Sequence, residues 1–148
     1  MQTFLPYPDF YQSLETLDYR RLGKQRMECF QILKALANTT DVDLSDVDPS
    51  QLGKGWVNHP ATRMWSGYEG ALAQYHDESI KAWLRRGYKN TMLLRAKPGQ
   101  WPTPPWFGDP DFHASHRSNL LRKAPMWYRC FGWEEPSDME YVWPTPHA

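Results

Sequence analysis

The chain predicts an all-α fold: a single compact domain over residues 1–148, a helical bundle with long Pro/Trp-rich loops. Three observations carry this. Apolar side chains recur at spacings of three and four through three long windows. Each window opens on a residue suited to capping, and two of them stop at glycine or proline. No window alternates apolar and polar residues as a half-buried strand would. One domain is the natural count for 148 residues, and a chain of that length can bury a real core.

Each element can be justified in order. Phe4, Leu5 and Tyr7, set among Pro6 and Pro8, predict a packed, extended N-terminal segment. Asp9 caps a short helix from residue 10 to about 17 that buries Phe10, Leu14 and Leu17. Asp18 is the expected N-cap of a long helix to about Ala37, with Cys29, Phe30, Leu33, Leu36 and Ala37 at helical spacing. Residues 38–55 read as the least ordered stretch, made acidic by Asp41, Asp43, Asp46 and Asp48, with one helical turn at Asp48-Pro49-Ser50-Gln51. The glycine and final glutamate of a calcium loop are missing there, so a solvated loop is expected. The clearest helix is expected over residues 59–86. Asn58 would cap it, Pro60 suits its first turn, and Ala61, Trp65, Tyr68, Leu72, Tyr75, Ser79 and Ala82 form its stripe. Arg85 and Arg86 suit the negative end of its dipole and Gly87 its stop. Residues 97–105 carry too much proline for helix. Trp101, Trp106 and Phe107 imply packing on the body, or a wedge that stacks on an exposed base. Asp109-Pro110 opens a last helix to about Lys123, stopped at Ala124-Pro125. The aromatic tail ends in Tyr141-Val142-Trp143-Pro144, an extended segment expected to dock on the domain.

Charge is informative only locally. Lysine plus arginine and aspartate plus glutamate number 17 each, so the chain is no polycation and any nucleic-acid contact must come from a patch. One such patch opens the long helix: Arg20, Arg21, Lys24 and Arg26 crowd its first turns, where the helix dipole prefers anions. Stability alone would not gather them there. Free N–H groups together with Arg and Lys side chains suit a phosphate. The plain alternative is a solvated face, with Glu28 balancing Lys24 at i, i+4.

A second informative stretch lies on the last helix, where His113, His116 and Arg117 share one side. Three readings compete: a zinc site completed by His59, satisfied core histidines, or polar groups facing a substrate pocket, with Arg117 on phosphate and a histidine passing protons. No acidic or thiol ligand falls at zinc spacing, so the pocket is preferred and no metal or cofactor is expected. Glu28 and Glu69 are the candidate helical carboxylates. Phosphate-cradling glycine loops and nucleophile elbows are missing. Eight Trp and eight Tyr suit stacking or an interface as well as a core. With no visible leader or membrane-length apolar run, the expectation is a cytoplasmic monomer with free Cys29 and Cys130, Cys29 in the core.

On these residues the chain resembles the endonuclease-V-type pyrimidine-dimer DNA glycosylase family of phages. It looks closer still to a branch of small bacterial and phage proteins grouped beside it. Likeness to that branch runs through Met1-Gln2-Thr3-Phe4-Leu5-Pro6, Arg21-Leu22-Gly23-Lys24-Gln25-Arg26, His59-Pro60-Ala61-Thr62-Arg63-Met64-Trp65, Pro105-Trp106-Phe107-Gly108-Asp109-Pro110, Ser115-His116-Arg117 and Tyr141-Val142-Trp143-Pro144. Likeness to the characterised glycosylases rests on Tyr19-Arg20, His59, Arg85-Arg86-Gly87-Tyr88 and Pro125-Met126-Trp127-Tyr128.

The resemblance implies a compact all-α enzyme that binds kinked double-stranded DNA and flips a nucleotide. Its N-terminal α-amine attacks the sugar C1′ to form a Schiff base; α-amines titrate near about pH 8, so a useful fraction is neutral. A glutamate on the basic helix stabilises the sugar cation and assists strand cleavage, and arginines hold phosphates. Arg20 and Arg26 match those arginines in type and spacing, whereas the glutamate position falls on Arg21, with Glu28 two turns further on. Gln2 stands where the family has a small residue, so Met1 is expected to be retained and to carry the amine. The expected activity is a DNA glycosylase, with AP lyase action open, on a damaged or modified pyrimidine. The expected catalytic residues are Met1, His59, His116 and Glu28. Arg20, Arg21, Lys24, Arg26 and Arg117 would bind DNA, and Gln25, His113 and Trp65 would line the pocket. Two rivals remain: a lesion-binding module without catalysis, and an enzyme acting on a nucleotide or other phosphorylated small molecule.

Overall fold

The computed structural model describes residues 1–144, and its elements are helices; among the described residues the only β-pairing is a single antiparallel bridge between Val42 and Ala96. The Asp9 carboxylate accepts from the Gln12 amide at 2.7 Å and starts α1, Phe10–Thr16. The long basic helix α2 spans Tyr19–Leu36 and ends at Ala37, whose φ of 56° breaks the helical run. Asp18 holds the cap position but caps nothing. Its carboxylate is taken instead by Arg21 at 3.1 Å and by the Tyr128 hydroxyl.

The helix expected over residues 59–86 is two helices. α3, Pro60–Trp65, and α4, Glu69–Arg85, are separated by a break in which Gly67 takes a φ of 88°. Such a φ is open to glycine at little cost, and the chain turns there without strain. His59 rather than Asn58 caps α3, its Nδ1 accepting from the Ala61 amide at 3.0 Å. The apolar stripe survives the break: Trp65, Leu72, Tyr75, Ser79 and Ala82 are all buried. α5, Pro110–Lys123, starts as expected on Asp109, and a short α6, Pro125–Tyr128, follows in what the sequence leaves as tail.

The principal helix pair is α2 on α4. Leu22, Cys29, Ile32 and Leu33 of α2 share one buried cluster with Leu72, Tyr75 and Ala82 of α4. Gly23 allows the close approach, since a Cβ there would lie 3.2 Å from the Trp83 ring. Cys29 is buried, Cys130 is exposed, and both are free.

Two loop expectations need correction. The acidic stretch is pinned rather than loose. Arg95 pairs with Asp46, the Asp43 amide donates to the Arg95 carbonyl at 2.8 Å, and Asp77 accepts from the amides of Arg95 and Ala96. Like charges along the sequence hid the cation that draws them together from about fifty residues away. The Pro/Trp loop packs on the body, but neither tryptophan is a free wedge. Trp106 is buried with its indole N–H on the Met64 carbonyl at 2.9 Å. Trp101 lies so close to Gly70 that a Cβ there would come within 2.3 Å of the indole.

Candidate functional site

An extended segment outside any sheet must find partners for its backbone polar groups elsewhere. Residues 2–5 find them in side chains from α2, α4 and α5, and α3 adds a bond to the Thr3 side chain. Gln25 of α2 accepts from the Phe4 amide at 2.9 Å and donates to the Gln2 carbonyl at 2.8 Å. The Tyr75 hydroxyl of α4 lies 2.6 Å from the Phe4 carbonyl and 2.7 Å from Gln25 Oε1, two acceptors for one proton. Trp65 of α3 donates its indole N–H to the Thr3 hydroxyl at 3.0 Å. On α5, His116 Nδ1 accepts from the Leu5 amide at 2.9 Å, and His113 Nδ1 donates to the Leu5 carbonyl at 2.7 Å.

These bonds correct the expectation that His113 and His116 face a substrate pocket. Both are buried and grip the two polar groups of one residue, Leu5. His113 also accepts from the Gly108 amide at its Nε2, which fixes a neutral ring. Burial, helped by neighbouring His113, lowers the His116 pKa to about 3, so it stays neutral and has no route for protons to solvent. Gln25 and Trp65, expected on a pocket wall, likewise hold the N-terminal segment. Arg117 is committed to Glu135 and to the Pro6 carbonyl at 2.7 Å. Arg26 is half-buried, bonded to Asn90 at 2.6 Å with its guanidinium 4.4 Å above the Trp83 ring, and burial lowers its pKa. The spacing argument found the right face of α5. It could not tell a hydrogen-bonded core face from a solvent-filled one.

The cradle delivers Met1 to the edge of a cleft of about 570 Å³. One wall is α2, contributing Arg20, Arg21, Lys24 and Glu28 after Asp18; the other carries Lys123, Ala124 and Tyr141. Arg21, Lys24 and Glu28 stand at i, i+3 and i+7, one helical face over two turns. The Glu28 carboxylate accepts from the Gln2 amide at 3.1 Å, one residue from the chain's α-amine. Two turns of α2 are therefore what is needed to reach the N-terminus. The cleft gathers five positive groups (the Met1 amine, Arg20, Arg21, Lys24, Lys123) against two carboxylates, and Asp18 is already paired with Arg21.

Lys123 escaped the sequence reading, because a lysine in the last turn of a helix is adequately explained by the dipole. Burial lowers its pKa, and Arg21 and Arg122 nearby push the same way. His59 stands beside the cleft: burial and then the positive α-amine lower its pKa, while Glu28 opposes them. Glu69 begins α4 and reaches Asn38, outside the cleft. A larger opening of about 880 Å³ lies between the start of α1, α4 and the 94–107 loop. Its charged groups are already engaged: Asp9 accepts from the Gln12 amide, Asp77 from two backbone amides, Lys97 donates to the Thr39 and Thr40 carbonyls, and Lys81 lies 3.6 Å from Glu78. Among the described residues no group of three or more His, Cys, Asp or Glu side chains is placed to hold a metal ion, and no helix is long and apolar enough to cross a membrane.

Chemically, the cleft offers an amine, a carboxylate and several cations around a space open to an anionic ligand. Compared with known families, the chain matches the model for pyrimidine dimer DNA glycosylases over residues 1–96. That span holds Met1 and the whole α2 wall, whereas Lys123 and Tyr141 lie beyond it. No curated protein and no solved structure matches.

Proposed function

The chain belongs to the pyrimidine dimer DNA glycosylase family, and from that premise we propose that it excises a damaged or modified pyrimidine from double-stranded DNA. The observation that carries this reading is a cleft walled by cations that Met1 and Glu28 both line, with Glu28 bonded to the amide next to the α-amine. Arg20, Lys24 and Lys123 hold phosphates on either side of the target nucleotide. Arg21, paired with Asp18, adds a fixed positive charge at the family's glutamate position.

Glu28 takes over the carboxylate's task from two turns away. As the C1′–base bond lengthens, positive charge grows on the sugar, and an ionised carboxylate nearby lowers that barrier. The neutral Met1 amine then adds to C1′, and the base departs with the bonding electrons and takes up a proton. Loss of the amine proton and opening of the sugar ring give an imine. Removal of a C2′ proton from that imine, with expulsion of the 3′ phosphate, is the lyase step. His59, whose Nδ1 is taken by the Ala61 amide, presents its Nε2–H as a hydrogen-bond donor beside the cleft rather than as a base.

One observation favours a second reading. Arg21 stands where the family has its glutamate, which suits a module that binds lesions without cutting. Incubation with oligonucleotides carrying different lesions and modified pyrimidines, read by mass spectrometry, separates the two. Released base is the expected result. Tight, lesion-selective binding with every base retained would establish the module instead.

A further inference from the structure

Four aromatic rings run outward from the end of the cleft. Tyr141 lines it and packs against Trp143 with ring centres 5.3 Å apart. Trp143 meets His59 edge-on at 5.9 Å, and His59 meets Trp56 edge-on at 5.4 Å. Neighbouring planes are turned by 54°, 84° and 82°, so no two of these rings are stacked face to face. Trp56 is 48% exposed and Trp143 37%, and neither belongs to the buried core. They lie 87 residues apart in the chain, at positions 56 and 143, and converge on a single imidazole.

That imidazole is held in place. Its Nδ1 accepts from the Ala61 amide at 3.0 Å, so the neutral ring carries its proton on Nε2. The row therefore offers flat aromatic faces and one fixed N–H donor, joined to a cleft rich in cations. A nucleotide has the matching parts in the matching order: a π-surface, ring carbonyls, and a phosphate next to them. A peptide or lipid of ordinary composition would leave either the donor or the cations unused.

We propose that the Tyr141–Trp143–His59–Trp56 row receives an extruded pyrimidine, stacked on an exposed tryptophan while His59 Nε2 donates to a ring carbonyl. This rests on the DNA-excision reading above and adds to it the place where the base is recognised. Stacking on one aromatic ring is worth about 5- to 150-fold in affinity.

Two duplexes test it. One carries a mismatched, easily extruded thymine; the other carries a tetrahydrofuran abasic analogue at the same position. Both are titrated by anisotropy, and the ratio of the two affinities is read. The wild-type protein should prefer the thymine duplex. Trp56→Ala or Trp143→Ala should bring the ratio at least about fivefold closer to one. Trp56→Phe, which keeps a ring, should restore part of it. Thermal melts of the three variants, whose substitutions lie at exposed rings, check that each is folded. A wild-type ratio near one, or a ratio unmoved in both alanine variants, overturns the row while leaving DNA binding intact. Absence of binding to either duplex overturns the parent reading instead.

Discussion

Gln25→Ala strips the N-terminal cradle of its central member. The side chain serves the Phe4 amide at 2.9 Å and the Gln2 carbonyl at 2.8 Å, both out of reach of water. Leaving a buried backbone group unpaired costs about 1–3 kcal/mol. Two such groups, and the space the amide leaves behind, put the loss at about 3–5 kcal/mol. Unfolding entropy of about 2.1 cal/mol/K per residue gives about 0.31 kcal/mol/K for 148 residues, so the melting temperature should drop by about 10–16 °C. Tyr75→Phe removes one hydroxyl shared between two acceptors and should cost about 3–6 °C. Because Gln25 and Tyr75 both act on Phe4, the double variant should lose less than the sum, by at least about 0.5 kcal/mol. Circular dichroism melts give the temperatures, and hydrogen exchange gives the protection of the Phe4 and Leu5 amides. A Gln25→Ala shift below about 3 °C, with both amides protected as in wild type, would refute the cradle.

The remaining predictions concern charge. His116 binds no proton in the fold until about pH 3, whereas the unfolded imidazole does so below about 6.5. Its contribution is thus intact above pH 6.5 and declines on acidification, by up to about 1.4 kcal/mol per pH unit. His116→Gln, which can still accept from Leu5, should flatten melting temperature against pH between 7 and 4, and an unchanged slope would count against a buried neutral ring. Affinity for duplex DNA should fall steeply with salt, with a log–log slope of about −2.7 for the three phosphate contacts of Arg20, Lys24 and Lys123. Arg20→Ala with Lys24→Ala should make that slope shallower by about 1.8, and titrations at several salt concentrations would expose a merely solvated face as no change. Arg117→Ala, which breaks the Glu135 pair and the Pro6 bond, should lower the melting temperature and leave the salt slope alone. Glu28→Gln can still accept from the Gln2 amide but lacks the charge, so the melt should move little while base release slows by about a hundredfold or more. Equal rates for wild type and Glu28→Gln in single-turnover assays would remove Glu28 from the chemistry.

Much of the helical framework is legible in the sequence, because capping and periodicity are local. Asp9, Asp109 and Asp48 each accept from a nearby amide, as their places before Phe10, Pro110 and Pro49 suggest. The break at Gly67 was hidden by the stripe, which keeps its spacing across the turn because both helices pack on one core. Asp18 looks like a cap because a cap and an ion-pair partner have the same chemistry; Arg21 and, 110 residues away, Tyr128 take its carboxylate instead. The same limit applies to the site. His113, His116 and Gln25 stand out in the sequence as polar groups with a purpose, but the purpose is to satisfy backbone that no sheet satisfies, while Trp65 holds the Thr3 hydroxyl of the same segment. Glu28 looked remote when measured along the helix. The extended N-terminal segment closes that distance, and a single sequence does not display where such a segment lies. Lys123 could not be found, since its position in the last turn of α5 already had a sufficient explanation.

Reductive trapping of the sugar intermediate bears most directly on the cleft that Met1 and Glu28 both line. The full chain is incubated with duplex DNA carrying one abasic site in the presence of borohydride, and the adduct is located by peptide mass spectrometry. The sugar remnant should sit on the α-amine of Met1, and Glu28→Gln should reduce its yield. An adduct on any other amine, or none under conditions where the duplex is bound, would contradict a working amine at the mouth of this cleft.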